Sequence, residues 1–200
     1  GGSDPVFRQA GDDVDLCWRL QERGYKIGFS AAGFVWHYRR STVKAYLRQQ
    51  YGYGEAEALL VRKHPERFSW FGGSVWHGRI YSQANFGLLF HAPRIYHGPF
   101  GSGLFQSLYA AQPDLTAMFF TSLEYTTLVA LPLCVLATVF HFLAAPAVIA
   151  LLIPAAVCTA AAAQAGLPRE KRRFWSRPLV AMLFGLQPLV RGWARYHGRL

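Results

Sequence analysis

The sequence is short of charge and of cysteine, and each shortage excludes a class of protein. Charged residues make up 16% of the 200 residues and hydrophobic residues 52%, whereas about 25% of a typical soluble domain is charged. A chain this apolar can bury a large core, which excludes a disordered protein. Its three cysteines, Cys17, Cys134 and Cys158, supply neither a disulfide framework nor a CxxC metal site.

The longest stretch without charge predicts a membrane hairpin. No Lys, Arg, Asp or Glu occurs in the 44 residues between Glu124 and Arg169. A membrane-spanning helix needs roughly 20 apolar residues. Segments 118–143 and 147–165 are therefore each long enough to span, with 142–146 as their connection. The alternative is a buried helical hairpin of a soluble protein.

The basic residues are concentrated at the end of the chain and predict its orientation. The net charge is +10, and residues 169–200 contribute +7 of it, from eight basic side chains and Glu170. Basic segments favour the cytoplasmic side of a membrane, so this tail is predicted to be cytoplasmic. Two spans then return residues 1–116 to the same side. We expect membrane lipids rather than nucleic acid as partners, although a solvated tail without a specific lipid is the alternative.

Two further segments are predicted to lie at the membrane surface. Residues 69–116 are rich in glycine and aromatic residues, and amphipathic segments with Trp and Tyr favour the interface. Segment 178–193 is amphipathic but short for a span, which predicts an interfacial helix. The chain thus divides into residues 1–68, the aromatic interfacial segment, a transmembrane hairpin over 117–166, and a basic cytoplasmic tail over 167–200.

The N-terminal part of the chain predicts a mixture of helices and strands. A helix begins at the acidic run from Asp12, because carboxylates suit the free N–H groups of a first helical turn. Gly24 is predicted to end it. Short strands are predicted over 25–29 and 33–38, since both segments are rich in aromatic and β-branched residues.

A long second helix is predicted over about residues 42–63, with Ser41 as its cap. Gly52 and Gly54 lie within it and weaken the helix. Glycine at such positions often lets another group approach closely. We therefore expect a substrate or another helix to pack against this part of it.

Four short motifs resemble the end of a family 2 glycosyltransferase domain. They are Gly-Gly-Ser-Asp at 1–4, Gly-Asp-Asp-Val-Asp-Leu-Cys-Trp-Arg-Leu at 11–20, Gly-Tyr at 24–25 and Val-Trp-His at 35–37. The resemblance covers residues 1–64 or so. It implies an α/β fragment, the C-terminal part of a GT-A domain, followed by interfacial helices and the two-helix hairpin, so that the chain is mostly α overall. The donor-binding half, with its Asp-x-Asp metal motif, would lie upstream.

The resemblance assigns the chemistry to the acidic helix start. An inverting glycosyl transfer needs one base that takes the proton of the acceptor hydroxyl, and Asp13 matches that base. Asp12 stands beside it, where the family usually has Glu. Both carboxylates could instead be plain helix N-caps. His37 matches a family position that helps to hold a divalent metal, Mn²⁺ or Mg²⁺, on the donor diphosphate; the alternative is a packing residue at a strand end.

The remaining site residues are assigned to substrate contact. Trp18 and Arg19 lie in the motif of the helix start, although Arg19 could instead pair with a nearby acid. Arg48, Gln49 and Tyr51 occupy the place where processive relatives carry Gln-x-x-Arg-Trp. That pattern is absent, so processivity is not supported. A solvated helix face is the alternative for these three side chains.

Taken together, the sequence predicts a membrane-anchored, inverting glycosyltransferase. It would transfer a sugar from a nucleotide-sugar donor to a glycan or lipid-linked acceptor of a cell-envelope polysaccharide. We expect a multi-pass protein of the inner (plasma) membrane with its catalytic part in the cytoplasm. Two other classes stay open: a non-catalytic membrane-tethering or assembly module, and a metal-dependent hydrolase that uses Asp12, Asp13 and His37. The hydrolase would need more ligands than this block offers.

Overall fold

A computed structural model describes residues 2–7, 10–26, 42–68, 119–165, 167 and 173–198. Five main helices lie within these ranges: α1 (Asp12–Glu22), α2 (Val43–Lys63), α3 (Leu123–Val139), α4 (Ala144–Gln164) and α5 (Ser176–His197). Short 3₁₀ turns follow α2 at Pro65–Arg67 and precede α4 at His141–Leu143. The described ranges contain no strand. Because the predicted strands and the aromatic segment fall almost wholly outside them, the α/β fold and the interfacial segment stay predictions.

Helix α1 begins and ends at glycines with left-handed backbones. Gly11 is its N-cap, with φ of 88°, and Gly24 follows it with φ of 81°. The prediction that Gly24 ends the helix is confirmed, since a left-handed residue after a helix is commonly glycine. Asp12 and Asp13 lie in the first turn and neither is the N-cap. The alternative that both acids are plain caps is therefore wrong.

Helix α2 is capped one residue later than the sequence predicts. The side-chain oxygen of Thr42 accepts a hydrogen bond from the Ala45 amide at 3.2 Å, so Thr42 is the N-cap rather than Ser41. The close approach predicted at the glycines is confirmed at Gly54, where a Cβ atom would lie 2.7 Å from Cβ of Ala194 on α5. Another helix therefore packs against this position.

Helices α3 and α4 occupy the uncharged stretch, with a different turn from the one predicted. Helix α3 ends at Val139, and the extended backbone of Phe140 separates it from the 3₁₀ turn and α4. The turn therefore lies at residues 140–143, and residues 144–146 of the predicted connection belong to α4, where Pro146 fits into the first turn because its missing N–H costs nothing there. By length and composition, His141–Ala163 could cross a membrane, with a mean hydropathy of 2.3; α3 is shorter.

Helix α5 is longer than predicted and is not a free tail. It runs over 22 residues and packs against both α2 and α4. Near its start, Arg177 Nη1 donates to the carbonyl oxygen of Ala162 at 2.9 Å, which satisfies a carbonyl at the end of α4. Near its end, a Cβ atom on Gly192 would lie 2.9 Å from Cβ of Leu123. Along α2 the contacts advance in step, from Tyr46 with Gln187 to Arg62 with Gly198, so α5 runs beside α2.

A buried charge cluster joins α2, α3 and α5. Glu57 is fully buried and accepts from Arg191 Nε and, at 3.4 Å, from Arg195 Nη1. Arg195 Nη2 also donates to Glu124 Oε1 at 2.6 Å, and so does the Tyr196 hydroxyl at 2.6 Å. Glu124, the last acid before the uncharged stretch, thus faces protein. We call these five residues the interhelical charge cluster.

Candidate functional site

Helix α1 is held against the C-terminal part of α2 by a small apolar core. Phe7, Trp18 and Leu60 form this core, and the rings of His64 and Phe68 contact Trp18 edge to face at 5.3 and 5.8 Å. The indole of Trp18 is 1% exposed. Among the described residues, Trp18 therefore packs in the core. It does not lie on a surface that a substrate could reach.

Asp15 is the ionic anchor of this arrangement. Its carboxylate is fully buried and contacts Arg19 Nε at 2.8 Å, Lys63 Nζ at 2.8 Å and His64 Nε2 at 2.9 Å. Burial alone would raise the pKa of Asp15, but the hydrogen bonds from Lys63, His64 and Arg19 outweigh burial and hold that pKa below its usual value. Asp15 is therefore ionised at neutral pH and ties α1 to α2.

The predicted catalytic acids lie beside this anchor. Asp13 is exposed, and its Oδ1 accepts from the Val14 amide at 2.9 Å. Asp12 is half-buried in the same turn. Because Asp15 fixes the helix that carries them, the Asp13 carboxylate has a defined position and stays open to solvent. A carboxylate so placed can accept a proton from a bound hydroxyl group.

An open cleft lies between the end of α1 and the residues that follow α2. Its volume is about 740 Å³, and it is lined by Arg19, Glu22, Lys63, His64, Glu66 and Arg67. Arg19 spans from Asp15 to the N-terminal segment, where its Nη2 donates to the carbonyl oxygen of Gly2 at 2.9 Å. The alternative interpretation of Arg19, pairing with a nearby acid, is thus what its described contacts show.

One group of side chains in this cleft has the donor atoms to hold a metal ion. Glu22, His64 and Glu66 each place one ligand atom within 4.8 Å of the others. His37, the metal ligand predicted from the sequence, lies outside the described residues. The predicted donor metal therefore has no described ligand.

The predicted contacts on α2 precede the residues that pack against the acidic helix start. A Cβ atom on Gly11, the N-cap of α1, would lie 3.2 Å from Cβ of Ala56. Tyr51 precedes Ala56 by five residues, roughly 8 Å along the axis at 1.5 Å per residue; Arg48 is farther. Arg48 is exposed, and Gln49 Nε2 donates to the Tyr53 hydroxyl at 2.8 Å. Among the described residues, no hydrogen bond or ion pair joins Arg48, Gln49 or Tyr51 to Asp13.

Three residues of the site were missed in the sequence. Asp15 lies within the acidic motif, but its partners Lys63 and His64 are 48 and 49 positions later. The only signal for them is their place at the end of a long helix, directly before Pro65. This position in the sequence predicts the end of a helix, but it does not predict that Lys63 and His64 contact Asp15.

The chain shares one segment with known glycosyltransferases. Over 67 residues, 34% of this chain, it is 34% identical to proteins named pre-mycofactocin glycosyltransferase from Mycobacterium tuberculosis strains CDC 1551 / Oshkosh and ATCC 25618 / H37Rv. The shared segment spans 14% of the length of these relatives. No protein-family model matches the chain, and no solved structure matches it. The similarity supports a glycosyltransferase function in general.

Proposed function

We propose that this chain is part of a membrane-anchored, family 2-like glycosyltransferase in which Asp13 is the general base. The observation that carries the proposal is an exposed carboxylate on a helix whose start is anchored by a buried acid. The shared segment with glycosyltransferases supports the reaction class. The donor is a nucleotide sugar, and the acceptor is a glycan or a lipid-linked saccharide.

The proposed chemistry requires a carboxylate that is free to receive a proton. Three cationic or donor groups already contact the carboxylate of Asp15, so it is not available to take the proton of the acceptor. Among the described residues, Asp13 accepts a hydrogen bond only from the neighbouring amide of Val14. Attack of the acceptor oxygen on the donor sugar forms one C–O bond and breaks the bond to the nucleotide. The acceptor proton passes to Asp13.

The donor metal belongs to the proposal as a prediction from the family resemblance. It would help to neutralise the diphosphate that leaves with the nucleotide, and His37 is the residue assigned to hold it. Mn²⁺ suits an imidazole ligand better than Mg²⁺, which prefers oxygen. Asp12 is proposed to contact the acceptor beside the base.

The membrane anchor is supported by the surface of α3 and α4. Large apolar side chains are exposed along both helices, among them Leu128, Leu131, Val135, Val139, Ile149 and Leu152. Only 17% of the most apolar window of His141–Ala163 is buried, whereas the core helix of a soluble protein would be mostly buried. Lipid would cover this surface. We propose that α3 and α4 form a hairpin in the inner membrane, with α5 and the catalytic part on the cytoplasmic side.

This topology predicts which positions are accessible from outside the cell. Phe174, just before α5, is 95% exposed, and Phe142, at the hairpin turn, is 77% exposed. In a variant whose three native cysteines are replaced by alanine, an impermeant thiol reagent added to intact cells should label Phe142→Cys. It should label Phe174→Cys only after the cells are opened. Labelling of Phe174→Cys in intact cells would overturn the proposed orientation.

The reaction class is tested on the complete protein that contains this chain. Purified in detergent, it should release a nucleoside diphosphate from one member of a panel of nucleotide sugars when glycan and lipid-linked acceptors are supplied. The measured quantity is the acceptor-dependent rate of diphosphate release. No release above a no-enzyme control with any donor and acceptor would favour the other class, a membrane-tethering or assembly module.

A further inference from the structure

Both ring nitrogens of His64 face carboxylates. Nε2 lies 2.9 Å from Oδ1 of Asp15, whereas Nδ1 lies 3.2 Å from Oε1 of Glu22 and 3.7 Å from Oε1 of Glu66. The His64 residue is 4% exposed. A neutral imidazole has a single N–H, so one of its nitrogens presents a lone pair to a carboxylate unless a cation lies between them.

The surroundings of Asp15 decide which nitrogen carries the hydrogen. Lys63 and Arg19 also contact the Asp15 carboxylate, which is ionised and can only accept, so the hydrogen of its 2.9 Å contact with His64 lies on Nε2. With that hydrogen on Nε2, the lone pair of Nδ1 points toward Glu22 and Glu66. A histidine that binds a metal typically donates its other N–H to a carboxylate in this way.

We propose that Glu22, His64 and Glu66 bind a divalent transition-metal ion at the mouth of the cleft, at a site separate from the donor metal. One imidazole nitrogen and two carboxylate oxygens suit Zn²⁺ or Mn²⁺. In a tetrahedral site with metal–ligand distances near 2.1 Å, neighbouring ligand atoms are about 3.4 Å apart. Nδ1 of His64 lies 3.2 Å from Glu22 Oε1 and 3.7 Å from Glu66 Oε1, and one ligand atom from each of the three residues lies within 4.8 Å of the others. Small rotations of the two glutamate side chains would bring all three ligand atoms to the distances that a metal ion requires. The open cleft leaves room for water ligands.

The neighbouring cations are compatible with this site and moderate its affinity. Arg67 lies 4.0 Å from Glu22 Oε1 and 3.9 Å from Glu66 Oε1, which are long contacts, and its guanidinium lies over the Trp18 ring at 5.7 Å. Lys63 is held by Asp4 and Asp15. Arg67 compensates one of the two glutamates, so one negative charge remains in the cleft to attract a cation.

Because Glu22 ends α1 and His64 follows α2, a bound ion would join the two helices at the end opposite Asp13. It would stabilise the helix that carries the proposed base without contacting substrate. This inference does not depend on the glycosyltransferase proposal, because it concerns binding of the metal alone.

The test is a titration of the full chain, purified in detergent without a histidine tag and freed of metal by a chelator, with Zn²⁺ alone. Calorimetry should detect a site whose association constant falls at least tenfold in Glu22→Gln and in Glu66→Gln. Both side chains are partly exposed, at 45% and 60%, so the variants should fold. Glu55→Gln, an exposed acid on α2, is the matched control and should bind Zn²⁺ like the wild type.

A second measurement identifies the nitrogen that binds. In the ¹⁵N spectrum of the histidine side chains, Zn²⁺ should shift Nδ1 of His64 and leave a single N–H at Nε2. Equal Zn²⁺ affinity in the wild type and in a Glu22→Gln/Glu66→Gln double variant would overturn the proposal. So would a His64 ring that carries hydrogens on both nitrogens at saturating Zn²⁺, because the imidazole would then be a cation paired with the carboxylates.

Discussion

Asp13→Asn should lower the rate of sugar transfer by the complete protein about 10²–10⁴-fold, the usual contribution of a general base. The amide keeps the shape of the carboxylate but cannot accept the proton of the acceptor hydroxyl. Its oxygen can still accept the hydrogen bond that the Val14 amide donates to Oδ1. Binding of the donor, measured by calorimetry without acceptor, should therefore be unchanged.

The stability of the variant separates a catalytic role from a structural one. Asp13 is not the N-cap of α1, so its structural contribution is limited to the favourable charge at a helix start, about 0.3–1 kcal/mol. A melting temperature close to that of the wild type, together with the lost activity, would support the base. Near-normal turnover by Asp13→Asn would remove the catalytic role, whatever the family resemblance implies.

The sequence predicts the position of the acids in the candidate site, but not what holds them. The acidic run and Gly24 define α1 because capping and helix ends depend on neighbouring residues. The anchoring of Asp15 depends on Lys63 and His64, which reach it only after the chain has folded back. Trp18 illustrates the same limit, since a motif position alone does not distinguish a core indole from an exposed one.

In the fold as well, the local sequence predicts the helices but not which helices contact one another. The apolar runs predict α3 and α4, and the glycines of α2 predict that something approaches them closely. Nothing local to residues 178–193 indicates that α5 is the approaching helix, because its ion pairs with Glu57 are made across 134 and 138 positions of the chain. A basic tail adjacent to apolar helices is equally compatible with a solvated segment.

Glu57→Gln should therefore be among the most destabilising conservative substitutions in this chain. Glu57 is fully buried, and so are both guanidinium groups that it accepts from, Arg191 and Arg195. Removing one partner of a buried ion pair leaves an uncompensated charge and costs about 3–5 kcal/mol. Arg195 keeps its contact with Glu124 and Arg191 its contact with the Tyr53 ring, but both guanidinium groups lose the charge of Glu57. Thermal unfolding of the detergent-solubilised protein, followed by circular dichroism, measures the loss.

Two residues away on the same helix, Glu55 supplies the control. It is exposed, so Glu55→Gln should change the unfolding free energy by less than about 0.5 kcal/mol. A disulfide probe reports the docking of α5 separately: cysteines placed at Ala58 on α2 and at Gly198 just after α5, where the Cβ atoms would lie 3.1 Å apart, should cross-link readily in the wild-type background. Cross-linking should be slower with Glu57→Gln than with Glu55→Gln. Equal melting temperatures and equal cross-linking in the two variants would show that the interhelical charge cluster does not hold α5 to α2.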